Sequence, residues 1–265
     1  MTGQILNYLG NSHATYLHAR GKLSSDKIFK LLAPRKDEKI LEIGFGTGAT
    51  LIKMASQSEA NLYGYEISPI MYQKALERVR FCQIPGLNLE LLQKKNQFPA
   101  PDNTFDAVYA ESILAIQEGP DLRNLLFEIK RVLKPNGVLL FNETIWLDVV
   151  DRERARAINE KCKKSFGIIQ SSHDYLHIAD WKNLLTETGF TCELEIPVSE
   201  IQATKERMSI PLFRSNLYTF IGKMKASLSP SMRQNWTRYT TEMASIIDSN
   251  EKLMEGRIIK AYNKK

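Results

Sequence analysis

Four carboxylates and a glycine triplet carry most of the chemistry legible in this 265-residue chain. In the stretch LEIGFGTGAT, Glu42 stands two residues ahead of Gly44-x-Gly46-x-Gly48. Glycines so spaced behind an apolar run allow a tight turn, close backbone approach to a ligand and close packing of the next helix. Glu66, in YEIS, follows at a distance where a carboxylate can accept both hydroxyls of a ribose. Glu111 in YAES and Glu143 in FNETIW form a second pair. If their strands are neighbours, both face one pocket, where they can take a proton from an acceptor or hold a cationic amine. Plainer readings stand beside these. The glycines can serve packing alone, Glu111 can bond nearby backbone N–H groups, and Glu143 can pair with a surface base.

The elements that must position these groups follow a regular alternation. KILEIGF, NLYGYEIS, LNLELLQ, FDAVYAES and GVLLFNET read as short buried strands. Between them, ATLIKMASQ, PIMYQKALERVRFCQ and LRNLLFEIKRVL read as helices, and KPNG marks a turn before the fifth strand. Such alternation predicts an α/β, doubly wound, mostly parallel sheet with helices on both faces. Residues 1–35 read as a helical lead-in. Beyond Trp146 come long helical stretches, the strand-like TCELEIPV, more helix over 211–250, and GRIIKAYNKK as a final strand. In the 211–250 stretch Phe213, Leu217, Phe220, Ile221 and Met224 share one helical face. With no repeat or linker, one domain spanning 1–265 is expected, with a ligand-binding core over 36–145.

The glycine spacing is one residue shorter than the GxGxxG of dinucleotide sites, which leaves a nicotinamide enzyme as the minor alternative. E-x-G-x-G-x-G resembles motif I of the class I S-adenosylmethionine (SAM)-dependent methyltransferases. Three further segments match in order and spacing: YEIS with Glu66 and Ile67, PAPDNTFDAVYAES, and LKPNGVLLFNE. Together they cover residues 40–144 and look like the group acting on quinones, sterols and natural products. The resemblance implies SAM as methyl donor and S-adenosylhomocysteine as product. It also implies a seven-stranded Rossmann-like sheet, with the last strand antiparallel and inserted beside the sixth. Glu42, the three glycines, Glu66, Ile67 and Glu111 would contact the cofactor.

The resemblance extends to three further places. Many relatives read adenine with an acid after the third strand, but Lys94 occupies that position here. A lysine can only donate, as does the adenine amino group, so Lys95 and Asn96 are the candidate adenine readers. In related enzymes a leading helix folds over SAM as a lid. Within NSHATYLHARGK, Arg20 would then pair with the methionine carboxylate and Tyr16 would bound the sulfonium, with His13 and His18 nearby. Material before the last strand commonly roofs the acceptor, which makes 211–250 a substrate cap, with a membrane contact near Lys223 and Lys225 as the lesser alternative. Trp146 offers an apolar or cation–π wall, with a plain core position as the favoured reading.

Composition narrows the function further. With 43% hydrophobic and 25% charged residues the chain can bury a sizeable core. The net charge of +6 is dispersed, which disfavours nucleic acid as a partner. Three separated cysteines without a CxxC pair, no leader-like start and no long apolar run suggest a cytoplasmic protein without transmembrane segments. His173 and His177 lack a third ligand at matching spacing, so no metal is expected, and a capping turn before Trp181 explains them better. The resulting expectation is a methyltransferase acting on a small-molecule acceptor, an amine or hydroxyl, by in-line displacement. Glu111 and Glu143 are its catalytic candidates. A homodimer is compatible with this reading. The alternatives are an RNA or protein methyltransferase and a non-catalytic SAM-binding protein.

Overall fold

A computed structural model describes residues 4–203, 208–247 and 251–264. Strands β1 (Lys39–Ile43), β2 (Asn61–Glu66), β3 (Asn88–Leu91), β4 (Phe105–Glu111), β5 (Leu133–Trp146), β6 (Phe190–Pro197) and β7 (Met254–Asn263) form one sheet. Their order is β3-β2-β1-β4-β5-β7-β6. The first five pair in parallel, while β7 runs antiparallel between β5 and β6. The expected seven-stranded, doubly wound sheet is therefore present; Lys265, the last residue of the expected final strand, lies outside the described residues.

Side chains alternate between two cores, as a sheet covered on both faces requires. Leu41, Val108 and Phe141 pack on one face against α5 (Gly119–Val132) and α7 (Ile178–Glu187). Ile40, Tyr109 and Leu140 pack on the other, with Ile28 of α2 (Lys22–Leu32), Leu51 of α3 (Ala49–Ala55) and Ala75 of α4 (Pro69–Cys82). The strand order reverses between β1 and β4: earlier strands lie to one side and later ones to the other. In open sheets, ligands bind above the carboxyl ends at that switch point.

Two expected boundaries differ from the structure, and one expected turn is found. KPNG falls inside β5 as an irregularity: Phe105 pairs with Leu133 but Ala107 with Val138, and Asn136 takes a left-handed φ of 61°. The lead-in is two helices, α1 (Gln4–Asn11) and α2, separated by a non-helical segment. His13, Tyr16 and Arg20 there all have positive φ, which breaks helical continuity. His173 and His177 do not share a helix. His177 is instead the N-cap of α7, where Asp180 Oδ2 accepts the N–H groups of Leu176 and His177 at 2.9 Å, so the capping turn is observed.

The remaining helices are α6 (Arg152–Phe166), α8 (Ile210–Leu228) and α9 (Pro230–Ile246). Trp146 is buried with Ile158, Phe166 and Tyr239 between α6 and α9, so it is a core side chain and not a cation–π wall of the cavity. The α8–α9 hairpin supplies the helical insertion before β7. Among the described residues no helix is long and apolar enough to cross a membrane.

Candidate active site

The site begins where β1 gives way to the glycine loop. Gly44, Gly46 and Gly48 all take positive φ, the conformation that lets the chain turn from β1 into α3. A side chain at Gly44 would strike Ile113, whereas one at Gly46 would meet nothing within 4 Å. Gly46 thus leaves its backbone bare toward open space that another molecule can fill. Glu66 locks this loop to the end of β2. Its Oε2 accepts the Gly46 N–H at 2.9 Å, while Oε1 accepts those of Ile67 and Ser68 at 2.8 and 2.7 Å. Burial raises the Glu66 carboxyl above its ordinary value, and those three donors oppose the shift.

Glu42 lies beneath the loop, where the Tyr109 hydroxyl donates to it at 2.7 Å. Burial first, and then the neighbouring Glu111, hold its carboxyl well above the usual range. Glu111 accepts from Ser25 Oγ at 2.9 Å and Thr50 Oγ1 at 3.2 Å, and lies 3.1 Å from His18 Nε2. Asn142 Nδ2 lies 3.1 Å from His18 Nδ1. A proton on Nε2 satisfies this arrangement, with Nδ1 accepting from Asn142 and Nε2 donating to Glu111. Glu143 Oε1 accepts the N–H groups of Ile113 and Leu114 at 2.9 and 2.8 Å, and Oε2 that of Ala115 at 3.1 Å. Burial nevertheless pushes its carboxyl up to about 7. The backbone-bonding role anticipated for Glu111 thus belongs to Glu143, and Glu143 is buried without a surface base.

All four carboxylates line one cavity of about 450 Å³, a size suited to small-molecule ligands. Apolar side chains share the lining, among them Leu6, Leu9, Ile113, Ile116, Ile168 and Ile169. Tyr16 and His18 also line it, on the segment between α1 and α2. That segment is clasped from behind. Arg78, fully buried on α4, donates to the carbonyls of His13 (3.1 Å), Thr47 (2.8 Å) and Ser215 (3.0 Å). The His13 ring stacks on Tyr218 of α8 at 4.3 Å.

The other expected residues divide. Ile67 and Lys95 line the cavity, although Lys95 Nζ is paired with Asp121 at 2.5 Å. Asn96 and Lys94 do not line it. Asn96 Oδ1 is nonetheless buried with no hydrogen-bond partner among the described residues. Arg20 is exposed at the turn before α2 and does not line the cavity, because the positive φ values of Arg20 and Gly21 turn the chain there. The α8–α9 hairpin contributes no residue to the lining and instead braces the segment that does. Arg78 and Ile168–Gln170 escaped sequence reading. An arginine in a charged helix gives no sign that it will be buried, and residues following a helix carry no pocket signal. Among the described residues no cluster suited to a metal ion occurs.

SAM fits this arrangement. It carries a net positive charge, which four buried carboxylates favour, and a ribose that Glu66 can bind beside the bare backbone of Gly46. The residues that would hold it are the glycine loop, Glu42, Glu66, Ile67, Glu111 and Tyr16.

Comparison with known proteins agrees. Residues 40–137 match the family model described as a methyltransferase domain. A sterol 24-C-methyltransferase of Aspergillus fumigatus is 35% identical over 118 residues, 43% of this chain and 30% of that protein. The chain spans 30–41% of the length of the sterol methyltransferases it matches. Phosphoethanolamine N-methyltransferase 2 of Haemonchus contortus, solved with SAM, has a TM-score of 0.68 at 18% identity, covering 98% of this chain and 57% of that one. The cyclase SpnF reaches 0.69 at 15% identity, covering 99% and 94%. These two likenesses speak to the fold. The family match falls on the strands and loop that build the carboxylate-lined cavity, so residues 40–137 are similar to the methyltransferase domain of class I SAM-dependent enzymes.

Proposed function

We propose that the protein transfers a methyl group from SAM to a small, largely apolar molecule bearing an amine or hydroxyl. The observation that carries this reading is the continuity of one cavity. The glycine loop, Glu66, Glu111 and Glu143 line it together with the apolar Leu6, Ile116, Ile168 and Ile169. When bound, SAM supplies an electrophilic methyl group. The chain's own task is to fix the acceptor in line, exclude water and remove a proton where the nucleophile carries one. Glu143, with its carboxyl near 7, is suited to accept that proton at neutral pH. Glu111, tied to His18, Ser25 and Thr50, offers carboxyl oxygens beside the cationic donor. The relatives do not select the acceptor, since their names include a carbon-methylating and a nitrogen-methylating enzyme and a cyclase.

The test is transfer of labelled methyl from SAM to panels of amines, phenols and lipids. Glu143→Gln should lower kcat at saturating SAM at least about tenfold, with the pH-rate limb near 7 lost. Transfer restricted to a carbon nucleophile and indifferent to both acids would sink the acceptor assignment. SAM binding with no labelled product from any acceptor in a native extract would favour a SAM-binding protein without turnover, and salt-sensitive capture of RNA would favour a polymer substrate.

A further inference from the structure

Helix α8 buries one side and leaves the other bare. Leu212, Ser215, Tyr218 and Gly222 face the protein, where α8 meets α4. On the opposite side Ile210, Phe213, Leu217, Phe220, Met224 and Leu228 are all exposed, Phe213 and Phe220 at 58% and Leu228 at 75%. At 3.6 residues per turn these six fall within an arc of about 80° and run about 27 Å along the helix. A run this long is more than scattered surface apolarity.

The charges around the stripe say what covers it. At the same helical spacing Lys223 lies to one side of the apolar arc, while Arg214 and Lys225 lie to the other, and α8 contains no acidic residue. Over residues 208–247 five basic residues face a single acid, Glu242. Arg214 reaches Gln83, a neutral partner. An apolar stripe flanked on both sides by cations suits the surface of an anionic bilayer. There the rings and aliphatic groups enter the acyl boundary and the lysines reach up to the headgroup phosphates. A second copy of the same face would instead set cations against cations, and α8 has no acid to relieve them.

We propose that the exposed face of α8 docks the protein on anionic lipid membranes. The stripe lies outside the cavity lining, so docking and cofactor binding are separable. The experiment is co-sedimentation of the full chain with neutral phosphatidylcholine vesicles and with vesicles also containing phosphatidylglycerol. Binding should be confined to the anionic vesicles and fall as salt is added. The pairs Phe213→Ser with Phe220→Ser, and Lys223→Glu with Lys225→Glu, should each weaken it on the order of tenfold or more. Circular dichroism and SAM affinity should stay unchanged in both variants. The proposal is overturned if the chain ignores both vesicle types, if folded variants bind like the parent, or if binding is equal on neutral lipid. It is also overturned if the parent is a dimer that the serine variants convert to monomer without any lipid effect.

Discussion

Glu66 shows how one side chain can serve fold and ligand together. It gathers the N–H groups of Gly46, Ile67 and Ser68, so the loop and the end of β2 are fixed before a cofactor arrives. Glu66→Ala should weaken SAM binding about ten- to a hundredfold, the range for a lost hydrogen bond to a charged group. Unchanged affinity by calorimetry would show that the ribose binds elsewhere. The four carboxylates also make binding proton-linked. Burial keeps Glu143 protonated up to about 7 and raises Glu42, Glu66 and Glu111, while an arriving cation favours their ionised forms. SAM binding near neutral pH should therefore release protons, and affinity should rise with pH through about 7. Calorimetry in two buffers of different ionisation enthalpy measures the release, and proton uptake would contradict the assignment. The same shift acts on stability with the opposite sense. Between the ordinary glutamate value and about 7 the folded chain holds the Glu143 proton that the unfolded chain has lost, so the ligand-free protein should lose stability as pH rises through that window.

At the scale of elements, the segment between α1 and α2 is held over the cavity by α8. Gly222 makes this possible: a Cβ there would stand 2.3 Å from His13 Cγ. Replacing a helical glycine by alanine ordinarily stabilises a helix by about 1 kcal/mol, so the sign of Gly222→Ala is informative. Overpacking against a stacked ring costs about 1–3 kcal/mol and should win. Gly222→Ala should lower the melting temperature, speed proteolysis or hydrogen exchange at residues 12–21, and weaken SAM binding. A more stable variant with intact affinity would mean that the clasp yields easily. The expectation of a cap over the acceptor follows from where insertions before the last strand sit along the chain. Contacts, not chain position, direct α8 to α4 and to His13.

For the molecule as a whole, Arg78 joins parts far apart in sequence. It bonds His13 in the leading segment, Thr47 in the glycine loop, and Ser215 and Thr219 in α8. Its charge is met by neutral acceptors and the Tyr218 ring, and burial lowers its pKa to about 10. Arg78→Ala would strand several buried carbonyls and should cost at least about 3 kcal/mol in urea unfolding, with weaker SAM binding. A loss under about 1 kcal/mol would show that these three parts do not unfold together.

The sequence by itself determined the strand–helix alternation, the glycine loop, the positions of the four carboxylates and the resemblance to a methyltransferase domain. Each is written in local spacing: periods of two and 3.6 residues, and the distance from a loop to the acid closing the next strand. It also marked the apolar face of α8, since helical period groups Phe213, Leu217, Phe220 and Met224. Only the tertiary structure decided that this face is exposed, that Arg78 is buried, and that Ile168 and Ile169 complete the cavity. Periodicity tells which side chains share a face. What covers that face depends on contacts between residues more than a hundred positions apart, such as Arg78 with Ser215 and His13 with Tyr218, and local spacing does not encode them.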